Sequence, residues 1–415
     1  MKLFRKIQKW FENQENLYYL FLIILIVPNI VLCFTEPMPL VAKVCNVLLP
    51  FSIYHMIMSW SGNCGKTFWI LFPFLFFGAF QIVLLYLFGQ SVIAVDMFLN
   101  LVTTNPGEAL ELLDNLIPAI IIVVLLYIPA LVLAAVAVSK KRRLSETLVR
   151  RERKRARITV IAGILSLVAA YLFDARYELK SDLYPANVCY NIALAFQRTA
   201  QTQHYAETSK DFTFQAKTTR PEKNREVYVM VIGETSRAAN WSIYGYNRNT
   251  NPELTKIKGL TAFSHVLTES NTTHKSVPML MSSVTAHDFN SIYRQKGIIT
   301  AFKEAGYRTA FFSNQRYNHS FIDFFGKEAD ICDFIKEDTG DGSYNPSDDE
   351  LLKLVAAELA ENASKQFIVL HTYGSHFNYR ERYPADNAFF LPDFPVDAEL
   401  KYKDNLINAY DNSIR

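Results

Sequence analysis

Three short runs of this 415-residue chain carry side chains suited to chemistry. In VMVIGETSR, Glu234 follows an apolar, β-branched stretch and a glycine. A carboxylate just past a buried parallel strand points into the crevice where α/β folds bind ligands. It suits a metal ligand or a general base, and equally a helix N-cap role in which Glu234 or Thr235 satisfies free amides. In SNTTHKSVPMLMSS, Ser270–Ser283, small hydroxyl residues precede an expected helix with Pro278 in its first turns. A hydroxyl at a helix N-terminus is well placed as a nucleophile, because amides and dipole favour an alkoxide and then a bound phosphate. It still needs a base or a metal to lose its proton, and plain helix capping explains the spacing too. In HTYGSHF, His371 and His376 lie just past another strand, where imidazoles contact a phosphate or a metal, or simply pack. His274 and His319 are looser candidates with no evident place.

These runs need elements to hold them. EVYVMVI (Glu226–Ile232), GLTAFSHV, RTAFFS (Arg308–Ser313) and QFIVLHT (Gln366–Thr372) read as strands. Helical patterns cover Ser291–Ala305 and Asp348–Asn362, the latter with a capping signature in SDDELLKLVAAELAEN. Alternating strands and helices predict an α/β domain with a mostly parallel sheet. A connector, irregular or helical, runs from Pro185 to about Glu222.

The part before about Asp174 is of another kind. The chain is 50% hydrophobic and 14% aromatic, with a mean hydropathy of +0.06 that averages two unlike halves. Five apolar segments, Leu17–Phe34, Leu40–Trp60, Thr67–Phe88, Leu116–Val138 and Ile158–Phe173, are each about long enough to cross a bilayer. Their repetition excludes a signal peptide as the explanation. Lys2, Arg5, Lys6 and Lys9 precede the first segment, and SKKRRLSETLVRRERKRAR lies between the fourth and fifth. By the positive-inside rule both are cytoplasmic, so the chain after Asp174 lies on the outer side. Net charge is only +3, and the juxtamembrane position accounts for the basic run, so no nucleic-acid partner is expected. The division is a membrane domain at 1–173, a connector at 174–222 and an α/β domain at 223–415.

The outer loop SVIAVDMFLNLVTTNPGEALELLDNL places Asn100, Thr104 and Glu108 four apart, on one helical face if that loop is helical. Pro106 breaks such a helix or kinks its turn. The stripe suits a lipid head group, or is a solvated interfacial face. Of five cysteines, only Cys189 and Cys332 fall in the soluble part, as one bridge or as two free thiols.

Several blocks in order resemble the phosphoethanolamine transferases of the alkaline phosphatase/sulfatase superfamily. VIGETSRAANWSIYGYNRNTNPEL resembles their first signature and NTTHKSVPMLMS their nucleophile segment. HTYGSHFNYRERYP resembles a third block, DMFLNLVTTNPGEALEL a membrane-side block, and a five-helix anchor is that family's layout. The resemblance implies an inner-membrane enzyme with a periplasmic, sulfatase-like domain. It implies Glu234 as a zinc ligand and Thr273 as both zinc ligand and nucleophile, fixed by Ser276, Val277 and Pro278. It further implies His376 on the phosphoethanolamine phosphate, Asn314 in FFSNQRYN as a polar substrate contact, and Asn100, Thr104 and Glu108 on lipid. The implied donor is phosphatidylethanolamine and the acceptor a glycolipid such as lipid A or a core sugar. Adding an amine there lowers surface negative charge and weakens cationic peptide binding.

Two departures stand out. Related enzymes often carry several periplasmic disulfides, whereas this chain has at most one. The family also places an Asp-His metal pair and a further His in its last third, and this chain stops at NAYDNSIR. A truncated catalytic domain is therefore expected, with Asp323, Asp330 and His371 as substitute ligands otherwise. The rival readings are a glycerophosphate transferase, a sulfatase (which Thr273 in place of Cys or Ser argues against) and a lipid-binding remnant without turnover.

Overall fold

A computed structural model describes residues 2–89, 92–95, 97–98, 106–219, 225–336, 346–396 and 400–415, with the backbone only at 2–5, 7, 88 and 106–115. By contacts the chain divides into two compact units, 1–102 with 116–197 and 103–115 with 198–415.

The first unit is helical: α1 (Lys2–Glu12), α2 (Gln14–Thr35), α3 (Leu40–Trp60), α4 (Cys64–Ile70), α5 (Phe72–Phe88), α6 (Pro106–Ser139), α7 (Glu146–Phe173) and α8 (Ala186–Gln203). Among the described residues four helices are long and apolar enough to cross a membrane, and α4 with α5, bent by 61°, passes the same test as a pair, as a broken span or a re-entrant loop. Helices α3 and α7 approach closely because Gly163 has no side chain. A Cβ there would lie 2.7 Å from Ser52 Oγ and 3.2 Å from Leu49 Cα.

The basic run expected as a loop is largely helix. Ser145 caps α7, accepting from Leu148 N at 3.2 Å, and the Arg, Lys, Glu and Leu that follow are good helix formers. Pro106 opens α6 rather than breaking a helix. Asn100 and Thr104 lie outside the described residues, and so does the Glu108 side chain. All five cysteines are free, so the Cys189–Cys332 bridge does not form.

The second unit is built on a four-stranded parallel sheet: β1 (Glu226–Ile232), β2 (Arg308–Ser313), β3 (Ile331–Phe334) and β4 (Lys365–His371), in the order β1-β4-β2-β3. Helices α9 (Thr273–Leu280), α10 (Ile298–Glu304), α11 (Phe321–Gly326), α12 (Glu350–Ala360) and α13 (Lys403–Ile414) complete it. Every residue of β4 is buried, as expected for a central parallel strand. Val277, Met281, Phe311 and Phe325 pack one core, and Ala310, Phe312, Ile368 and Leu370 another.

Two readings of the sequence need correction. GLTAFSHV forms no strand: Leu260, Phe263 and Val266 are exposed, and an apolar run without a neighbour to pair with has no reason to extend. Strand β3 went unread because ICDF is short and only partly buried. The helix expected from Ser291 begins at Ile298, after a 3-10 turn over Phe289–Tyr293.

Candidate active site

In parallel register Ile232 pairs with His371, and Ser313 pairs with His371 from the other side. The three carboxyl ends therefore open together. Beyond β1, Glu234 is half-buried, and the loop after β4 folds over its backbone. Thr372 N donates to Ile232 O at 3.0 Å, and Ser375 N to Glu234 O at 3.0 Å. Gly374 between them sits at φ +53, and a Cβ there would come 2.7 Å from Glu234 O and 2.9 Å from Glu234 N. Only glycine combines that backbone with that approach.

Thr273 is the first residue of α9, and its N-cap Thr272 makes no side-chain cap. Thr273 Oγ1 donates toward both Glu234 oxygens, at 3.1 Å to Oε1 and 3.0 Å to Oε2. Thr235 Oγ1 donates to Oε1 at 2.7 Å. The strand end and the helix start thus bring together two residues 39 apart in sequence. They face a cavity of about 880 Å³ whose walls include Arg237, Asn240, Trp241, Ser276, Leu280, Tyr379 and Tyr410. A positive helix end and a carboxylate-bound hydroxyl in one cavity suit attack on phosphorus.

The far wall is held from α13. Tyr410 OH donates to Thr235 O at 2.8 Å and accepts from Arg237 N at 2.8 Å. The fully buried Asp411 accepts from Asn240 Nδ2 at 2.9 Å, Tyr246 OH at 2.8 Å and Arg248 Nη1 at 2.7 Å. It ties the 240–248 stretch to the helix.

The remaining candidates lie apart from the Glu234–Thr273 pair. Asn314 is buried and does not line this cavity. Its Nδ2 donates to Asp348 Oδ1 at 2.8 Å and Pro346 O at 2.9 Å. Asp348 in turn accepts from Tyr373 N at 2.8 Å and Gly374 N at 2.9 Å. Asn314 therefore braces the loop that braces Glu234. His376 stacks on Tyr373, places Nδ1 2.7 Å from Phe377 O, and is absent from the cavity wall.

The substitute ligands are engaged elsewhere. Asp323 completes a capping box with Ser320, Asp330 accepts from Thr309 and pairs with Lys303 at 2.7 Å, and burial pushes His371 down to about 4. Among the described residues no three His, Cys, Asp or Glu side chains cluster to hold a metal. Glu234 and Thr273 supply two oxygen donors, fewer than the three or four protein ligands zinc takes. The described residues alone do not fit a zinc site.

Sequence reasoning missed Asp348, Tyr410 and Asp411. The Tyr-Gly-Ser following β4 was a readable signal for the tight loop, but nothing in NAYDNSIR pointed back to residue 235.

Strand order, carboxyl-end site and threonine at a helix start define a sulfatase-like α/β domain behind a helical membrane anchor. Residues 226–415 match the Sulfatase family model, and residues 53–200 match the model for phosphoethanolamine transferase EptA/EptB. The Kdo(2)-lipid A phosphoethanolamine 7''-transferase of Escherichia coli (strain K12) is 32% identical over 218 residues, 50% of this chain and 36% of that protein. The phosphatidylethanolamine transferase Mcr-1 of Escherichia coli is 29% identical over 262 residues, 59% of this chain and 47% of that one. The chain thus spans a third to a half of these relatives. The integral membrane lipooligosaccharide phosphoethanolamine transferase A from Neisseria meningitidis shares the fold, with a TM-score of 0.70 over 96% of this chain and 76% of that chain at 18% identity. These matches, one to each part of the chain, support the phosphoethanolamine transferase family. Its long apolar helices are those of a multi-pass membrane protein, and by the positive-inside rule the sulfatase-like part follows on the side away from the basic flanks.

Proposed function

We propose that this chain carries the donor half-reaction of a phosphoethanolamine transferase, taking the head group of phosphatidylethanolamine onto Thr273 and passing it to a glycolipid such as lipid A or a core sugar. The observation that carries the reading is the Thr273 hydroxyl shared between both oxygens of Glu234 at the mouth of the cavity. Glu234 accepts the Thr273 proton as Oγ1 attacks phosphorus. The new Oγ1–P bond forms as the bond from phosphorus to the diacylglycerol oxygen breaks, and that oxygen takes a proton from solvent. An acceptor hydroxyl or phosphate then attacks the same phosphorus, a hydroxyl giving its proton to solvent, and Thr273 leaves and recovers its proton from Glu234. The start of α9 favours the charge that builds on the phosphoryl oxygens.

Zinc is the metal the resemblance implies, with Glu234 and Thr273 as its donors here. Because two donors do not make a zinc site, neither step draws on it. In this scheme Asn314 acts through Asp348 on the loop over Glu234, while His376, which the resemblance implies on the phosphate, stacks on Tyr373 outside the cavity wall. Asn100, Thr104 and Glu108 hold lipid at the outer surface. The working division is an anchor at 1–173, a connector at 174–222 and a catalytic domain at 223–415.

The test is diacylglycerol release from labelled phosphatidylethanolamine by the purified chain. Release that Thr273→Ala abolishes supports the reading. Release unaffected by that substitution overturns the assignment of the nucleophile. The two-donor set favours a second reading, a lipid-binding chain without turnover, which predicts phosphatidylethanolamine binding but no release.

A further inference from the structure

At the basic end of the membrane unit, α1 and the end of α6 enclose a groove of about 390 Å³. One side is apolar: Phe11 from α1, and Leu133 and Val136 one turn apart on α6. The other side is cationic, Lys140 and Arg142. The chain reverses there around Lys141, at φ +50. Lys140 N donates to Val136 O at 2.9 Å and Arg142 N to Ala137 O at 2.9 Å. This closure holds both cations at a helix C-terminus, where the dipole favours positive charge.

Neither cation has a carboxylate partner among the described residues. Glu12, the acid on the groove wall, accepts from Gln8 Nε2 at 3.2 Å instead. Around the groove the sequence adds Lys141 and Arg143, and α1 repeats Lys2, Arg5, Lys6 and Lys9 at helical spacing. Trp10, 45% exposed on the same helix, is the side chain expected at a membrane interface. The groove therefore has an apolar lining for an acyl chain and, with Lys140 and Arg142 against Glu12, a net positive rim. Such a rim repels an ammonium head group and attracts a lipid whose net charge is negative.

We propose that this groove binds an acidic phospholipid of the cytoplasmic leaflet, its phosphodiester on Lys140 and Arg142 and one chain along Leu133 and Val136, fastening α1 to the bundle. The lipid is not the transferase substrate, and the proposal stands whether or not the chain turns over phosphatidylethanolamine.

The experiment is native mass spectrometry of the full chain released from mixed micelles holding equal phosphatidylglycerol and phosphatidylcholine. The first retained lipid is expected to be phosphatidylglycerol by about tenfold. The double variant Lys140→Gln/Arg142→Gln brings the ratio near parity, while Lys154→Gln, an exposed cation of α7, leaves it unchanged. Val136→Trp, which fills the groove and keeps both cations, lowers retention of that lipid and covers the case of a poorly folded double variant. Parity in the unmodified chain overturns the proposal. So does a preference that survives both the double variant and Val136→Trp.

Discussion

Glu152 in the membrane unit and Glu234 in the sulfatase-like unit are both carboxylates held by several donors, yet they are built for opposite ends. Glu152 is 1% exposed. Its Oε1 accepts from Arg151 Nε at 2.8 Å and Arg155 Nη1 at 2.9 Å, and its Oε2 lies 3.3 Å from His55 Nε2. Its charge is neutralised by two arginines of its own helix, and its contact with His55 joins α7 to α3. Glu234 is half-buried, and its carboxylate donors are the neutral hydroxyls of Thr235 and Thr273. Neutral partners leave its charge available to a proton or a metal. The nature of the partners, more than burial, separates a structural acid from a reactive one.

Substitutions at the two acids should therefore separate activity from stability. Glu234→Gln keeps shape and removes the proposed proton acceptor. Transfer from phosphatidylethanolamine is expected to fall by about 10²–10⁴, with the melting temperature unchanged. A melting temperature that falls as far as in a Glu152 variant would erase the contrast. Glu152→Leu takes the carboxylate away from Arg155 and His55, while Arg151 keeps Glu15. It should destabilise the membrane unit, read as earlier thermal unfolding, while transfer per folded molecule persists.

Gly374→Ala probes the junction between scaffold and site. Its positive φ and the 2.7 Å approach to Glu234 O cost about 1–3 kcal/mol, and the shift of Glu234 lowers transfer as well. If stability falls and transfer does not, the loop is scaffold alone.

The smallest effect is one of pH. Burial pushes His371 down to about 4 and, against backbone amides that oppose it, pushes Asp323 up to about 6. Unfolded His371 takes a proton near 6.5 that the folded chain refuses until about 4. Its stability is present above 6.5 and lost as pH falls toward 4. Folded Asp323 keeps a proton that the unfolded chain releases near 3.8. Its stability is present below 3.8 and lost as pH rises to about 6. The two largely cancel, so the unmodified chain should show a flat profile there. Asp323→Asn should unmask an acid loss of up to about 3 kcal/mol, read by hydrogen exchange of β2 and β4 peptides at pH 4–7. A flat profile in that variant would mean that His371 takes up its proton alike in the folded and unfolded states.

Much of this was legible beforehand because the signals were local. Apolar runs of span length, basic flanks and β-branched runs ending in glycine each encode one element, and they gave the membrane helices, three of the four strands and the alternating α/β pattern. Glu234 and Thr273 were legible as separate candidates because each sits where an element begins or ends. The failures were of a different kind. GLTAFSHV has strand composition, but pairing depends on a neighbour that its own sequence does not contain. The run before Ile158 looked like a loop by charge, yet Glu152 with its arginines and His55 makes it helix continuous with the span.

The sequence by itself determined which residue types could react and which side of a membrane they face, since helix starts, strand ends and positive flanks are properties of short windows. Only the tertiary structure decided that Thr273 reaches both oxygens of Glu234, and that Asn314 supports a loop instead of lining the cavity. It also assigned Asp411 to holding the 240–248 stretch on α13. These facts depend on the parallel register of β1, β4 and β2, which aligns Ile232, His371 and Ser313, and register is fixed by the summed packing of a sheet, which no single window of residues contains.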